Sequence, residues 1–122
     1  MKYGLIGERI PHSFSKEIHA KIASYEYELH EIQKDQLAGF MQTHDFLGIN
    51  VTIPYKEAVI PFLSEIDDTA KRIGAVNTVV NRNGKLFGYN TDAYGMRALI
   101  FKTGLDFKGA KVLILGTGGT SH

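Results

Sequence analysis

Apolar and polar positions along the chain switch between two periods. Residues 2–6 form a short apolar run ended by Gly7, which predicts a strand, and Phe14, Ile18 and Ile22 then recur at helical spacing. Residues 25–30 set Tyr25, Tyr27 and Leu29 against Glu26, Glu28 and His30, the period-2 pattern of a half-exposed strand near a sheet edge. Leu37, Phe40 and Met41 mark a second helix, residues 47–53 a buried strand, and Ala58, Val59, Phe62 and Leu63 a short third helix after Pro54. Asp67 or Asp68 is placed to cap a fourth helix carrying Ala70 and Ile73.

One local break interrupts this alternation of strand and helix. Residues 76–82 and 85–90 are separated only by Asn83-Gly84, the pair favoured in a tight type I′ turn, so they predict a hairpin. Pairing Arg82 with Lys85 fixes the register, puts Asn77 opposite Asn90 and leaves Asp92 one step beyond Asn77. Tyr94, Ala98 and Leu99, with Met96 and Ile100 alongside, then make a helix that stops at Gly104, and residues 110–115 read as one more strand. The expected fold is α/β in three layers: a mainly parallel sheet with one antiparallel hairpin and helices on both faces.

A chain of 122 residues holds one compact domain with a core, and is short for the two domains that dinucleotide-dependent dehydrogenases usually need. Hydrophobic residues at 43% and charged residues at 22% exclude a disordered or collagen-like chain. A formal net charge of +1 gives no electrostatic footprint for nucleic acid or an anionic membrane, so a small ligand is the expected partner. With no cysteine there is no disulfide framework, thiolate zinc site or cysteine nucleophile. The first eight residues reach a charge too early for a signal-peptide core and nothing later approaches a membrane span, so cytoplasm is expected.

Candidate chemistry collects after strand ends, the edge where open α/β sheets bind ligands: Ser13 and Ser15, Thr52 and Lys56, Thr91 and Asp92. Each has a plainer reading. Ser13 or Ser15 can cap the first helix, and a pair of hydroxyls beside a positive helix end also suits a carboxylate. Lys56 alone reads as a solvated lysine, Thr91 or Asp92 as a helix cap, and Asn77 as a polar residue on a hairpin face. His12, His19, His30, His44 and His122 show no close ligand spacing with carboxylates, so they read as surface or packing residues and no metal is expected. The run Gly116-Thr117-Gly118-Gly119-Thr120-Ser121 follows an apolar segment, the context in which a glycine-rich turn approaches a pyrophosphate; its plainer reading, the less favoured one, is a flexible C-terminal tail.

Five segments in this order resemble the shikimate dehydrogenase family: His12-Ser13-Phe14-Ser15, Asn50-Val51-Thr52-Ile53-Pro54-Tyr55-Lys56, Gly74-Ala75-Val76-Asn77-Thr78, Asn90-Thr91-Asp92 and the closing glycine run. The resemblance implies reduction of 3-dehydroshikimate to shikimate with NADPH, a step towards chorismate and the aromatic amino acids, across a cleft between a substrate domain and a nucleotide domain. It implies that Ser13 and Ser15 hold the substrate carboxylate, and that Thr52, Asn77 and Asp92 bond the ring hydroxyls. Lys56 would be the acid/base, oriented by Asp92, with Asn50 supporting its loop. Gly116, Thr117, Gly118, Gly119 and Thr120 would belong to the NADP turn, and Asp68 matches an acidic position facing the cofactor.

On this resemblance residues 1–103 are the substrate-binding domain and 104–122 the start of a truncated NADP-binding domain, so the chain is expected to bind substrate without turning it over. The apolar strand at 110–115 is expected to lack its sheet partner, which leaves open a homo-oligomer through that strand or disorder there. Lys16 departs from the proline that often follows the second serine. A non-catalytic shikimate- or quinate-binding module, a quinate/shikimate variant and a remnant without function remain as alternatives.

Overall fold

The computed structural model describes residues 1–118 and 121. Six strands form one sheet in the order β2-β1-β3-β5-β6-β4. In chain order the elements are β1 (Tyr3–Gly7), α1 (Ser15–Ile22), β2 (Glu28–Glu31), α2 (Leu37–Thr43), β3 (Gly48–Val51), β4 (Glu65–Ile66), α3 (Asp68–Ile73), β5 (Thr78–Arg82), β6 (Lys85–Tyr89) and α4 (Asp92–Lys102). The pairings of β1 with β2 and β3, and of β4 with β6, are parallel. Only β5 is reversed, antiparallel to β3 on one side and β6 on the other.

The connections explain the layers. From β1 the chain steps outward through α1 to β2, then back across β1 through α2 to β3, so right-handed crossovers put α1 and α2 on opposite faces. Alternation along β1 does the same for side chains: Ile6 enters the larger core with Met41, Val51, Val59 and Val79, while Leu5 joins Ile10 and Tyr27 in a small cluster on the other face. Among the described residues no helix is long and apolar enough to cross a membrane.

The hairpin forms in the expected register, with Arg82 opposite Lys85 and Thr78 opposite Tyr89. Asn83 and Gly84 take φ of 54° and 83°, as a type I′ turn requires. Asp67 caps α3, its Oδ1 accepting the Ala70 N–H at 2.9 Å. β2 is an edge strand as expected, but all four of its residues are exposed rather than alternating, and Tyr27 just before it is the buried residue of that stretch.

Two further expectations need correction, and one strand, β4, is unexpected. The third helix is only a 3-10 turn, Ile60–Phe62, because Pro61 has no N–H to donate to the turn before it. β4 is too short to show a period in the sequence. Residues 110–115 form no strand: Val112, Leu113, Ile114 and Leu115 are exposed, and no strand among the described residues offers them a hydrogen-bonding ladder. Among the described residues α1 and α4 bury none of their side chains either, so Phe14, Ile18, Ile22, Tyr94 and Leu99 remain exposed.

This asymmetry predicts where truncation destabilises the fold. Met41 is 0% exposed and Leu99 63% exposed. Met41→Ala is expected to lower the unfolding free energy by about 2–5 kcal/mol. Leu99→Ala should change it by less than about 0.5 kcal/mol. Urea denaturation of the two variants beside the parent chain measures both.

Candidate functional site

One edge of the sheet gathers the candidate residues. β1, β3 and β6 end there, and β5, being reversed, begins there. The loop after β1 brings Ser13 and Ser15, the loop after β3 brings Thr52 and Lys56, Asn77 immediately precedes β5, and Asp92 opens α4. All six line one cleft of about 580 Å³, a size typical of small-molecule sites. Gly7 lets the loops close together: a Cβ there would meet Thr52 Cγ2 at 2.7 Å and Ile53 O at 3.1 Å.

At the floor of the cleft Lys56 Nζ donates to Asp92 Oδ2 at 2.5 Å, with side-chain exposures of 20% and 39%. The second carboxylate oxygen, Oδ1, accepts from Asn77 Nδ2 at 2.9 Å. Asn77 Nδ2 also reaches Thr91 Oγ1 at 2.8 Å, and Asn77 Oδ1 accepts the Thr91 N–H at 2.9 Å. Asp92 is thus held from two sides, and Lys56 is held by a partner that leaves its remaining protons free to donate. Asn77 is buried, and it lines the cleft together with the ion pair.

The capping alternatives resolve. Thr91 occupies the N-cap position of α4 without a side-chain capping bond. Asn90 does that work instead: its Oδ1 accepts the Ala93 N–H at 3.2 Å while its Nδ2 donates to Ala75 O at 2.9 Å. Thr91 and Asp92 are thereby released to face Asn77. At α1, Ser13 Oγ accepts the Ser15 N–H at 3.2 Å, so the two serines form a local turn at the helix start and both line the cleft.

Sequence reasoning missed part of the wall. Asn50 and His19 line the cleft as well. The Tyr27 hydroxyl donates to Asn50 Oδ1 at 2.6 Å, and the His19 ring stacks on Tyr27 at 3.8 Å between centroids. His19 Nδ1 is 2.5 Å from the Tyr25 hydroxyl. The packing expected of His19 is therefore found, but at the site. A signal for Asn50 exists in the sequence: it is a lone amide inside the otherwise apolar 47–51 run.

The glycine run lies apart. Gly116 and Gly118 line a second cleft, about 1080 Å³, against Ile53, Pro54 and Tyr55, and this cleft shares Thr52 and Lys56 with the first. Among the described residues no neighbour stands within 4 Å of where a Cβ would sit on Gly116 or Gly118, so the backbone there is open to close approach. Thr117 is exposed. Gly119 and Thr120 lie outside the described residues. Asp68, exposed at the start of α3, lines neither cleft.

Comparison with known proteins adds a family. The family described as the shikimate dehydrogenase substrate binding domain matches residues 5–79. The chain is 45% identical to the shikimate dehydrogenase (NADP(+)) of Geobacillus sp. (strain WCH70), over 98% of this chain and 47% of that protein. Shikimate dehydrogenase 1 from Peptoclostridium difficile is similar with a TM-score of 0.91 and 40% identity, over 99% of this chain and 48% of the other. Shikimate 5-dehydrogenase from Thermus thermophilus, solved in complex with shikimate, gives a TM-score of 0.88 at 34% identity, over 99% and 49%. The chain spans about half the length of the relatives it matches.

Two tyrosines carry a pH signature. Burial first, then the neighbouring Tyr25 phenol, push Tyr27 from 10.0 to about 12, and a hydrogen bond with the Ser15 side chain pulls the other way. Burial likewise raises Tyr55, with the Glu8 and Asp35 carboxylates adding. Above about pH 10 the unfolded chain releases phenolic protons that the folded chain keeps, so stability falls as pH rises from about 10 towards 12. Spectrophotometric titration at alkaline pH is expected to lose a late-ionising phenol in Tyr27→Phe, and urea midpoints should drop through the same window. A Tyr27 that ionises together with the exposed tyrosines would contradict this placement.

Proposed function

We propose that this chain, which belongs to the shikimate dehydrogenase substrate-binding domain family, holds the ring of shikimate or 3-dehydroshikimate in the cleft at the C-terminal edge of its sheet. The observation that carries the reading is convergence: hydroxyl pair, threonine, asparagine, lysine and aspartate from four separate loops line a single cleft of about 580 Å³. Hydroxyls at one side suit a carboxylate. Alternating donors and acceptors at the other suit ring hydroxyls, which need both.

In this reading Ser13 and Ser15 hold the substrate carboxylate, their hydroxyls standing beside the free N–H groups that begin α1. Thr52 and Asp92 bond the ring hydroxyls, and Asn77 joins them by exchanging its Nδ2 bond to Thr91 Oγ1 for one to a ring hydroxyl. Lys56 supplies the proton. Reduction of a ring ketone leaves an alkoxide, and an ammonium held within reach first stabilises the developing charge and then donates. Asp92 keeps Lys56 aimed into the cleft through the 2.5 Å ion pair. Breaking that pair removes both charge compensation and aim.

The activity proposed is that of an NADP-dependent shikimate dehydrogenase, a step towards aromatic amino acids, in which NADPH would supply the hydride and leave as NADP+. Gly116 and Gly118 fit a dinucleotide turn in one respect, the open space along their backbone. Lys56 lines both clefts, which supports placing it between the substrate and the hydride donor. Residues 1–103 then form the substrate-binding domain and 104–122 begin the NADP-binding domain. Two features support that division: α4 ends at Lys102, and residues 104–118 add no strand to the sheet.

Calorimetric titration of the chain with shikimate tests the assignment. Saturable binding is expected, weakened by roughly 10- to 100-fold in Asp92→Ala, which loses hydrogen bonds made by a charged group. Lys56→Ala should weaken binding less. A cooperatively melting chain that gives no saturable heat with shikimate would remove the ligand assignment.

A further inference from the structure

We infer that Tyr27, Asn50 and Thr78 are positioning residues: a series of hydrogen bonds, all donated in one direction, runs from the Tyr27 hydroxyl to Asp92 and holds the Asn77 amide and the Lys56–Asp92 pair in a single orientation. Its effect on affinity rests on the ligand reading of Asn77, Asp92 and Lys56. The polarity of the chain of bonds stands on geometry alone.

The direction is set by a group that can only donate. The Thr91 main-chain N–H lies 2.9 Å from Asn77 Oδ1, so that atom is an acceptor and Nδ2 must face Thr91 Oγ1 and Asp92 Oδ1. A reversed amide would set donor against donor at Thr91 and acceptor against acceptor at Asp92. With Asn77 Oδ1 fixed as acceptor, the Thr78 hydroxyl at 3.1 Å must donate to it. Its single proton being so engaged, Thr78 Oγ1 accepts from Asn50 Nδ2 at 3.2 Å. Asn50 Oδ1 therefore faces Tyr27, whose hydroxyl donates at 2.6 Å.

Packing supports each link. Asn50 and Thr78 are direct cross-strand partners on β3 and β5, so the ladder itself sets their separation. The His19 ring, stacked on Tyr27 at 3.8 Å, fixes the plane of the phenol from the α1 side. Bonds in series polarise one another, so each donor upstream strengthens the Asn77 N–H that reaches Asp92. Breaking the middle link leaves Asn50 Nδ2 with only a 3.5 Å contact to Asn77 O, and leaves Asn77 held by Thr91 alone on its oxygen side.

Thr78→Val removes the middle hydroxyl while keeping shape and strand preference, and Thr78→Ser restores the hydroxyl while giving up the branch. In the unliganded, isotope-labelled chain, Thr78→Val is expected to shift the NMR signals of the Asn77 side-chain amide and the Lys56 ammonium. Thr78→Ser should return them towards the parent values. Shikimate affinity should fall about fivefold to tenfold in Thr78→Val and recover in Thr78→Ser. Thermal melts should not follow that order: Thr78→Val keeps the branch but loses two hydrogen bonds and Thr78→Ser keeps the bonds but loses the branch, so both melt below the parent, and a merely structural role would weaken binding in Thr78→Ser as well as in Thr78→Val. Unchanged Asn77 and Lys56 signals in Thr78→Val overturn the inference, as does parent-like affinity in that variant or affinity that tracks the melts. If the parent chain binds no shikimate but the signals move and return with serine, the ligand assignment fails and the positioning role stands.

Discussion

The placement of Asn77 is the constraint on which the site depends. Its main chain is fixed on both sides, the carbonyl accepting Val51 N–H at 2.8 Å and the N–H donating to Tyr89 O at 3.0 Å. It is therefore stitched between the ends of β3 and β6. Because β5 runs against its neighbours, the residue that leads into β5 meets the residues that end β3 and begin α4. A parallel β5 would put Asn77 at the far edge, and Asp92 would lose the amide that orients it. The asparagine is buried with every polar side-chain atom bonded, the condition under which a buried amide specifies one geometry rather than destabilising the fold.

The two faces of the sheet divide the work. One carries most of the buried apolar side chains, packed from α2, the 3-10 turn and α3. Among the described residues the buried cluster of the other face is Leu5, Ile10 and Tyr27, with Tyr3 against them, and its helix α1 buries no side chain. A cleft opens where apolar packing is thin, and polar side chains can occupy it because their hydrogen bonds are satisfied laterally, through Tyr27, Asn50 and Thr78. The rigid face supports the strand ends, while the open face leaves room for a ligand. Family membership and this division agree, since the matched region, residues 5–79, contains both the core-bearing strands and most of the cleft.

Much of this was legible in the chain itself. Periodicity locates β1, β3 and helices α1 to α4, and the Asn83-Gly84 turn sets the hairpin register closely enough to put Asn77 beside Asp92. Other features were not legible. The helix expected at 58–63 was lost to Pro61, whose missing N–H outweighs the apolar spacing around it. The strand expected at 110–115 has the right composition, yet composition supplies no hydrogen-bonding partner. Tyr27 was read as one rung of an alternating strand, and nothing in its neighbours announces that its hydroxyl meets Asn50.

By itself, then, the sequence determined what adjacent residues can enforce: the elements, the tight turn with its register, the cap of α3 and the clustering of polar side chains after strand ends. Only the tertiary structure decided which of those ends share an edge, because strand order and the reversal of β5 depend on pairings between distant segments. Lys56 meets Asp92, and Tyr27 is joined through Asn50 and Thr78 to Asn77, by contacts that no local period encodes. They arise when burial of the large core fixes β3 against β5 and leaves their polar ends in register.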